Sequence, residues 1–127
     1  MTPTSRTMQV CREAKCGKVP PWLETAAPSV TYQEVQTKFD RKRDFLGFID
    51  VLVMCPPVMI GIQATTGDHV AARVRKICYE RSQNAWYWLS CGGAIQVWGW
   101  RKYKTPQDGK WWRPRIVDIH LKDLRFV

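Results

Sequence analysis

A chain of 127 residues that is 45% apolar and carries seven tryptophans can bury one core, which excludes a disordered polypeptide and predicts a single domain over residues 1–127. No apolar stretch approaches the ~20 residues that span a bilayer, and the N-terminal MTPTSRTMQVCREAKCG has no apolar signal-peptide core, so a cytoplasmic protein with no membrane partner is expected. The net charge of +9 is uneven, with eight basic and six acidic side chains in residues 1–63 against twelve and five in residues 64–127. A basic half of this kind suits a polyanion, since each phosphate neutralised by Lys or Arg releases condensed counterions; it equally suits a solvated, solubilising surface.

Thr2 ahead of Pro3 has the form of an N-cap followed by the first helical position, and Gly17 is a stop, which predicts a helix over about 3–15. Met8, Cys11 and Ala14 give it one narrow core stripe. Arg6, Arg12, Glu13 and Lys15 lie elsewhere on its surface, and Glu13 can face a site at the helix end. Pro20, Pro21 and Pro28 interrupt residues 18–47, where Trp22-Leu23 and Val30 to Phe39 are the candidates for edge or hairpin strands.

Phe48 to Met54 and Val58 to Ala64 are short, β-branched-rich apolar runs on either side of Pro56-Pro57, the pattern of two buried strands and a turn. Beyond Gly67, Asp68 is a candidate N-cap, and Val70, Val74, Ile77 and Cys78 recur at helical steps. They predict a helix over about 69–80 with Arg73 and Lys76 on its other side. Ser82 opens a further helix carrying Ala85, Trp86 and Leu89, ended by Cys91-Gly92-Gly93.

From Ala94 the pattern returns to strands, AIQVWGWRKY and WWRPRIVDIHL, joined by a Pro106-Gln107-Asp108-Gly109 turn. The pair reads as a hairpin, and an exposed hairpin permits a two-fold homodimer. Trp98 and Trp100 fall on one face and can stack on Trp111 or Trp112 across it. Rings beside Arg101, Lys102, Lys104, Arg113 and Arg115 either serve as stacking platforms for nucleic-acid bases or form core. Five cysteines at irregular spacings predict free thiols, and neither they nor the isolated His69 and His120 supply the close pairs of a zinc site.

Asp50 and Gln63 stand out because they interrupt the two apolar strands. Burying such groups costs roughly 2–7 kcal/mol for a neutral polar group, and more for a charge, unless bonds compensate. On adjacent antiparallel strands their side chains can converge. Their oxygens and the backbone carbonyl of Ala64 are a set that Mg²⁺ accepts, with waters and a phosphate oxygen completing six ligands. The structural alternative is that Asp50 caps a backbone group or pairs with Arg41 or Arg43, while Gln63 satisfies a neighbouring strand.

The order helix, loop, strand with Asp50, turn, strand ending Gln63-Ala64-Thr65, basic helix resembles the core of the PD-(D/E)XK nuclease superfamily. Here Asp50-x12-Gln63-x-Thr65 stands in the place of the Asp…Glu-x-Lys signature. The spacing is close to that of archaeal-type Holliday junction resolvases. DFLGFIDVLV, IGIQATTGDHVAARVRKI and IQVWGWRK resemble short bacterial and phage members of the superfamily. The likeness covers roughly residues 41–102.

The resemblance implies an α/β, restriction-endonuclease-like mixed central sheet flanked by helices, in a bacterial or phage-infected cell. It also implies Mg²⁺ (or Mn²⁺)-dependent hydrolysis of DNA. Asp50, Gln63 and Thr65 occupy the catalytic positions, and Asp50, Gln63 and Ala64 the metal positions, with Glu13 or Asp44 as a further ligand. Arg41, Lys42, Arg43, Arg73, Arg75 and Lys76 would grip DNA phosphates. Gln63 replaces a carboxylate and Thr65 replaces a lysine that orients water and stabilises phosphate charge. Three outcomes are therefore open: an enzyme, a nuclease-like fold that binds DNA or a host protein without cutting, and a small structural protein.

Overall fold

The computed structural model describes residues 1–18, 22–23, 31–34, 44–107 and 109–126. Helix α1 spans Pro3–Lys15, and the Thr2 hydroxyl accepts the Ser5 N–H at 3.1 Å to cap it. The strands are β1 Thr31–Glu34, β2 Val51–Cys55, β3 Val58–Thr66, β4 Ala94–Gln107 and β5 Lys110–Ile119, in a mixed sheet of order β1-β2-β3-β4-β5. Neighbours are antiparallel except β3 and β4, which are parallel. A parallel pair needs a crossover. Helix α2 (Val70–Arg75), a π turn (Lys76–Glu80) and helix α3 (Ser82–Ser90) supply it.

Alternation along β3 divides its side chains between two layers. Ile60 and Ile62 join Cys11, Val51, Val53, Trp98 and Trp100 beneath α1. On the other face, Ile49, Val70, Ile77, Ala85, Ile95, Val97 and Ile119 form the core under α2 and α3. Each such fully buried aliphatic contributes about 1.5–3 kcal/mol relative to exposure. Trp98 and Trp100 are thus core rings. Trp22 meets both edge-on at 5.6 and 6.3 Å between centroids, instead of forming an edge strand with Leu23.

Several boundaries depart from the pattern of the sequence. The strand expected from Phe48 begins at Val51, because Phe45 and Ile49 close a tight loop in which Leu46 and Gly47 have positive φ of 57° and 84°. The helix expected over 69–80 is a 3₁₀ turn (Gly67–His69), α2 and the π turn in succession. Asp68 lies inside the first turn instead of capping it, the N-cap position falling to Thr66. The turn at Pro56-Pro57, whose peptide bond is cis, and the pairing of the hairpin stand where expected, but β4 runs on through Pro106 and Gln107 after a register shift beyond Lys102, so these two residues are strand and not turn. Cys11, Cys16, Cys78 and Cys91 are free, and burial pushes the Cys11 thiol up to about 12. No helix among the described residues is long and apolar enough to cross a membrane.

Candidate functional site

Asp50 sits at the bend where the chain enters β2, its backbone N–H held by the Ile62 carbonyl at 2.9 Å. That bond fixes the carboxyl beside β3. The Gln63 side-chain amide donates to Asp50 Oδ2 at 2.8 Å, and the Ala64 backbone N–H donates to the same oxygen at 2.9 Å. Gln63 shares the sheet face of Gly61, where an added Cβ would meet Ile49 and Trp88, so the site lies on the side of α2 and α3. Asp50 and Gln63 therefore converge as their strand positions predict.

Asp44 completes the group. Burial pushes the Asp50 carboxyl up to about 8, and the Asp44 carboxyl, hydrogen-bonded to it and like-charged, pushes the same way; the Ala64 N–H and Gln63 amide pull in the opposite direction. Two carboxyls in contact cannot both ionise freely without a proton or a cation between them. The Gln63 amide has spent its nitrogen on Asp50, and its Oε1 is buried with no hydrogen-bond partner among the described residues. An unmade bond of this kind costs about 1–3 kcal/mol.

Two carboxyl groups and an orphaned amide oxygen are hard donors with no ion-pair partner among the described residues, so the residues present fit a hard divalent cation. No group of three or more His, Cys, Asp or Glu side chains forms among the described residues, and the third donor here is an amide. The expected contribution of Ala64 is altered, because the group it turns to Asp50 is its N–H and not its carbonyl.

The other expected residues are distributed more widely. Thr65 is 5% exposed on the face of Gly99, its partner on β4, beneath the start of α2. Its side chain is an uncharged hydroxyl packed in the core layer. Glu13 belongs elsewhere: its carboxylate accepts from Gln9 at 3.3 Å and lies 3.8 Å from Lys110, among α1 and hairpin residues. Of the phosphate-gripping set, Arg73 and Lys76 are half-buried and three residues apart on one flank of the helical crossover. Arg75 leaves that flank, lying over the Tyr79 ring at 5.0 Å and lining a hollow with Arg115 of β5. Arg41, Lys42 and Arg43, and with them the alternative ion pairs of Asp50, lie outside the described residues.

A second constellation was half legible in the sequence, which offered the hairpin rings beside Lys102 as stacking platforms but not their meeting with α1. Arg6 stacks on Trp112 with its guanidinium carbon 3.8 Å from the ring centroid, and Lys102 Nζ lies 5.8 Å from the Trp111 centroid. Their helix and hairpin are about a hundred residues apart in the chain, and no local spacing announces the contact. No protein-family model, no curated protein and no solved structure matches this chain.

Proposed function

We propose that the chain is a PD-(D/E)XK-type, Mg²⁺ (or Mn²⁺)-dependent nuclease acting on DNA, with Asp44, Asp50 and Gln63 as its metal-holding residues. The observation that carries the reading is the meeting of two carboxyls with a buried amide oxygen that has no partner among the described residues. The element order supports the reading as far as a mixed sheet flanked by helices goes: α1, three antiparallel strands, a helical crossover and a strand parallel to β3.

When bound, the metal supplies Lewis acidity and lowers the pKa of a water. The chain's own groups prepare for it. The Ala64 N–H and Gln63 nitrogen fix one Asp50 oxygen, which leaves the other with Asp44 and Gln63 Oε1 as the donors. Arg73 and Lys76 hold flanking phosphates, a positioning role that reads no sequence.

The test offers linear, flapped and four-way DNA to the purified protein with Mg²⁺ or Mn²⁺. Cleavage by the parent, abolished in both Asp50→Ala and Asp50→Asn while the fold persists, is the expected result. Cleavage that survives both substitutions rejects this site.

A second reading, DNA binding without cleavage, is favoured by Thr65, whose buried hydroxyl places no cation where the signature has lysine. It expects an inert parent that binds DNA as well as Asp50→Ala does. Gln63→Glu, of nearly equal volume, and the same change combined with Thr65→Lys then separate a lost activity from a weakened one. Under the second reading cutting appears only in the restored proteins.

A further inference from the structure

We propose that the cleft between α1 and the β4–β5 hairpin binds single-stranded DNA, seating a base against Trp111 and Arg6 and its phosphates on Lys102 and Lys110. The cleft has a volume of about 410 Å³, within the range of about 300–1,000 Å³ typical of small-ligand pockets. It lies on the α1 face of the sheet, opposite the face that carries Gln63, so the inference does not rest on the Asp50 site.

Trp100 forms buried floor, whereas Trp111 is 48% exposed at the rim. A core role accounts for the first ring and not the second. Its exposed ring, set at the rim of a basic cleft, is open to the flat face of a base. One face of Trp112 is already covered by the Arg6 guanidinium at 3.8 Å. The outer plane of a stacked guanidinium is itself a surface on which bases stack.

Charge selects an anion. Among the described residues, Arg6, Lys102 and Lys110 line the cleft against the one carboxylate of Glu13, which stands 3.8 Å from Lys110. Rings and cations side by side recognise a base attached to phosphate, and an acidic peptide would satisfy only the cations. Bases in a duplex have both faces covered by their neighbours, so an unpaired strand is the form that can reach these rings.

The experiment measures fluorescence anisotropy of a labelled oligothymidine of about 12 nucleotides, a length within single-strand site sizes, at low salt in EDTA. The parent should bind it more tightly than a duplex of equal length. Trp111→Ala should weaken binding about tenfold, in line with the loss of one base–aromatic stack, while Trp111→Phe retains most of the affinity. Lys102→Ala with Lys110→Ala should weaken binding and flatten its salt dependence. Glu13→Gln should tighten it, because Glu13 competes with phosphate for Lys110.

Asp50→Ala should bind the strand as the parent does, whatever becomes of cleavage. The inference is overturned if Trp111→Ala binds like the parent, or if polyglutamate competes as well as unlabelled oligothymidine. It is equally overturned if Asp50→Ala loses the strand while Trp111→Ala keeps it.

Discussion

Asp50 is held between opposing demands, since two N–H donors favour its anion while burial and Asp44 favour its neutral form. The second pair prevails, so the folded-state value of about 8 lies above the usual carboxylate range near 3.9. Between those values the folded protein retains a proton that the unfolded chain has released. In EDTA the stability contributed by this group is therefore fully present below about pH 4 and is lost as pH rises through about 8. Urea melts in EDTA across that window should show the decline, Asp50→Asn should flatten it, and excess Mg²⁺ should offset it at the alkaline end. A second residue-scale prediction concerns Thr7, whose buried hydroxyl accepts the Trp100 indole N–H at 3.0 Å. Thr7→Val keeps the shape and leaves that N–H unpaired, so a loss of about 1–3 kcal/mol is expected in denaturant titrations. Asp50 and Gln63 were legible in the sequence because polar residues inside apolar strands demand partners. That Asp50 caps a backbone group, here the Ala64 N–H, was one of the alternatives its burial left open; the orphaned Gln63 oxygen was not legible, since it follows from the bend at Asp50 and not from residue type.

At the scale of elements, α1 and the hairpin could be read off because their signals are local: a Thr-Pro start, an apolar stripe, and two β-rich runs around a Gly turn. The breaking of the crossover into a 3₁₀ turn, α2 and a π turn could not be read, because the apolar positions repeat at helical steps throughout and the changes of pitch answer to tertiary packing. Gly99 shows that packing directly. A methyl group added there would overlap Val70 and come within 3.1 Å of the Gly67 backbone. The first turn of the crossover thus rests on the β4 backbone, above the position where Thr65 pairs. Gly99→Ala should lift α2 from the sheet and cost about 1–3 kcal/mol by overpacking, seen as a lowered urea midpoint with little change in slope.

Across the whole molecule, the sheet separates two sets of polar features, the Asp50 site on the α2–α3 face and the aromatic and basic cleft on the α1 face. Of the twelve basic residues in the second half of the chain, Lys102 and Lys110 line the cleft, and Arg73 and Lys76 lie on the crossover of the other face. DNA affinity should accordingly fall steeply with salt, with a slope of about −0.7 per phosphate contacted for a single strand. Charge reversal at Arg73 and Lys76 should reduce duplex affinity alike for all sequences, as a phosphate contact does. Binding that ignores both salt and these substitutions would remove that helix flank from the interface. The position of β5 as the last strand of the sheet carries a different consequence. An outermost strand is a template on which further chains can assemble into aggregates. Pro114 lies in the middle of this one, flanked by Arg113 and Arg115. Proline has no N–H to donate to an added strand, and the adjacent cations repel a copy of themselves. The border of the sheet is thereby blunted against strand addition, and any two-fold pairing of the hairpin would use its broad faces. Pro114→Val combined with Arg113→Thr and Arg115→Thr should leave a long β-branched border and raise turbidity and thioflavin fluorescence in concentrated solution, where the parent stays clear.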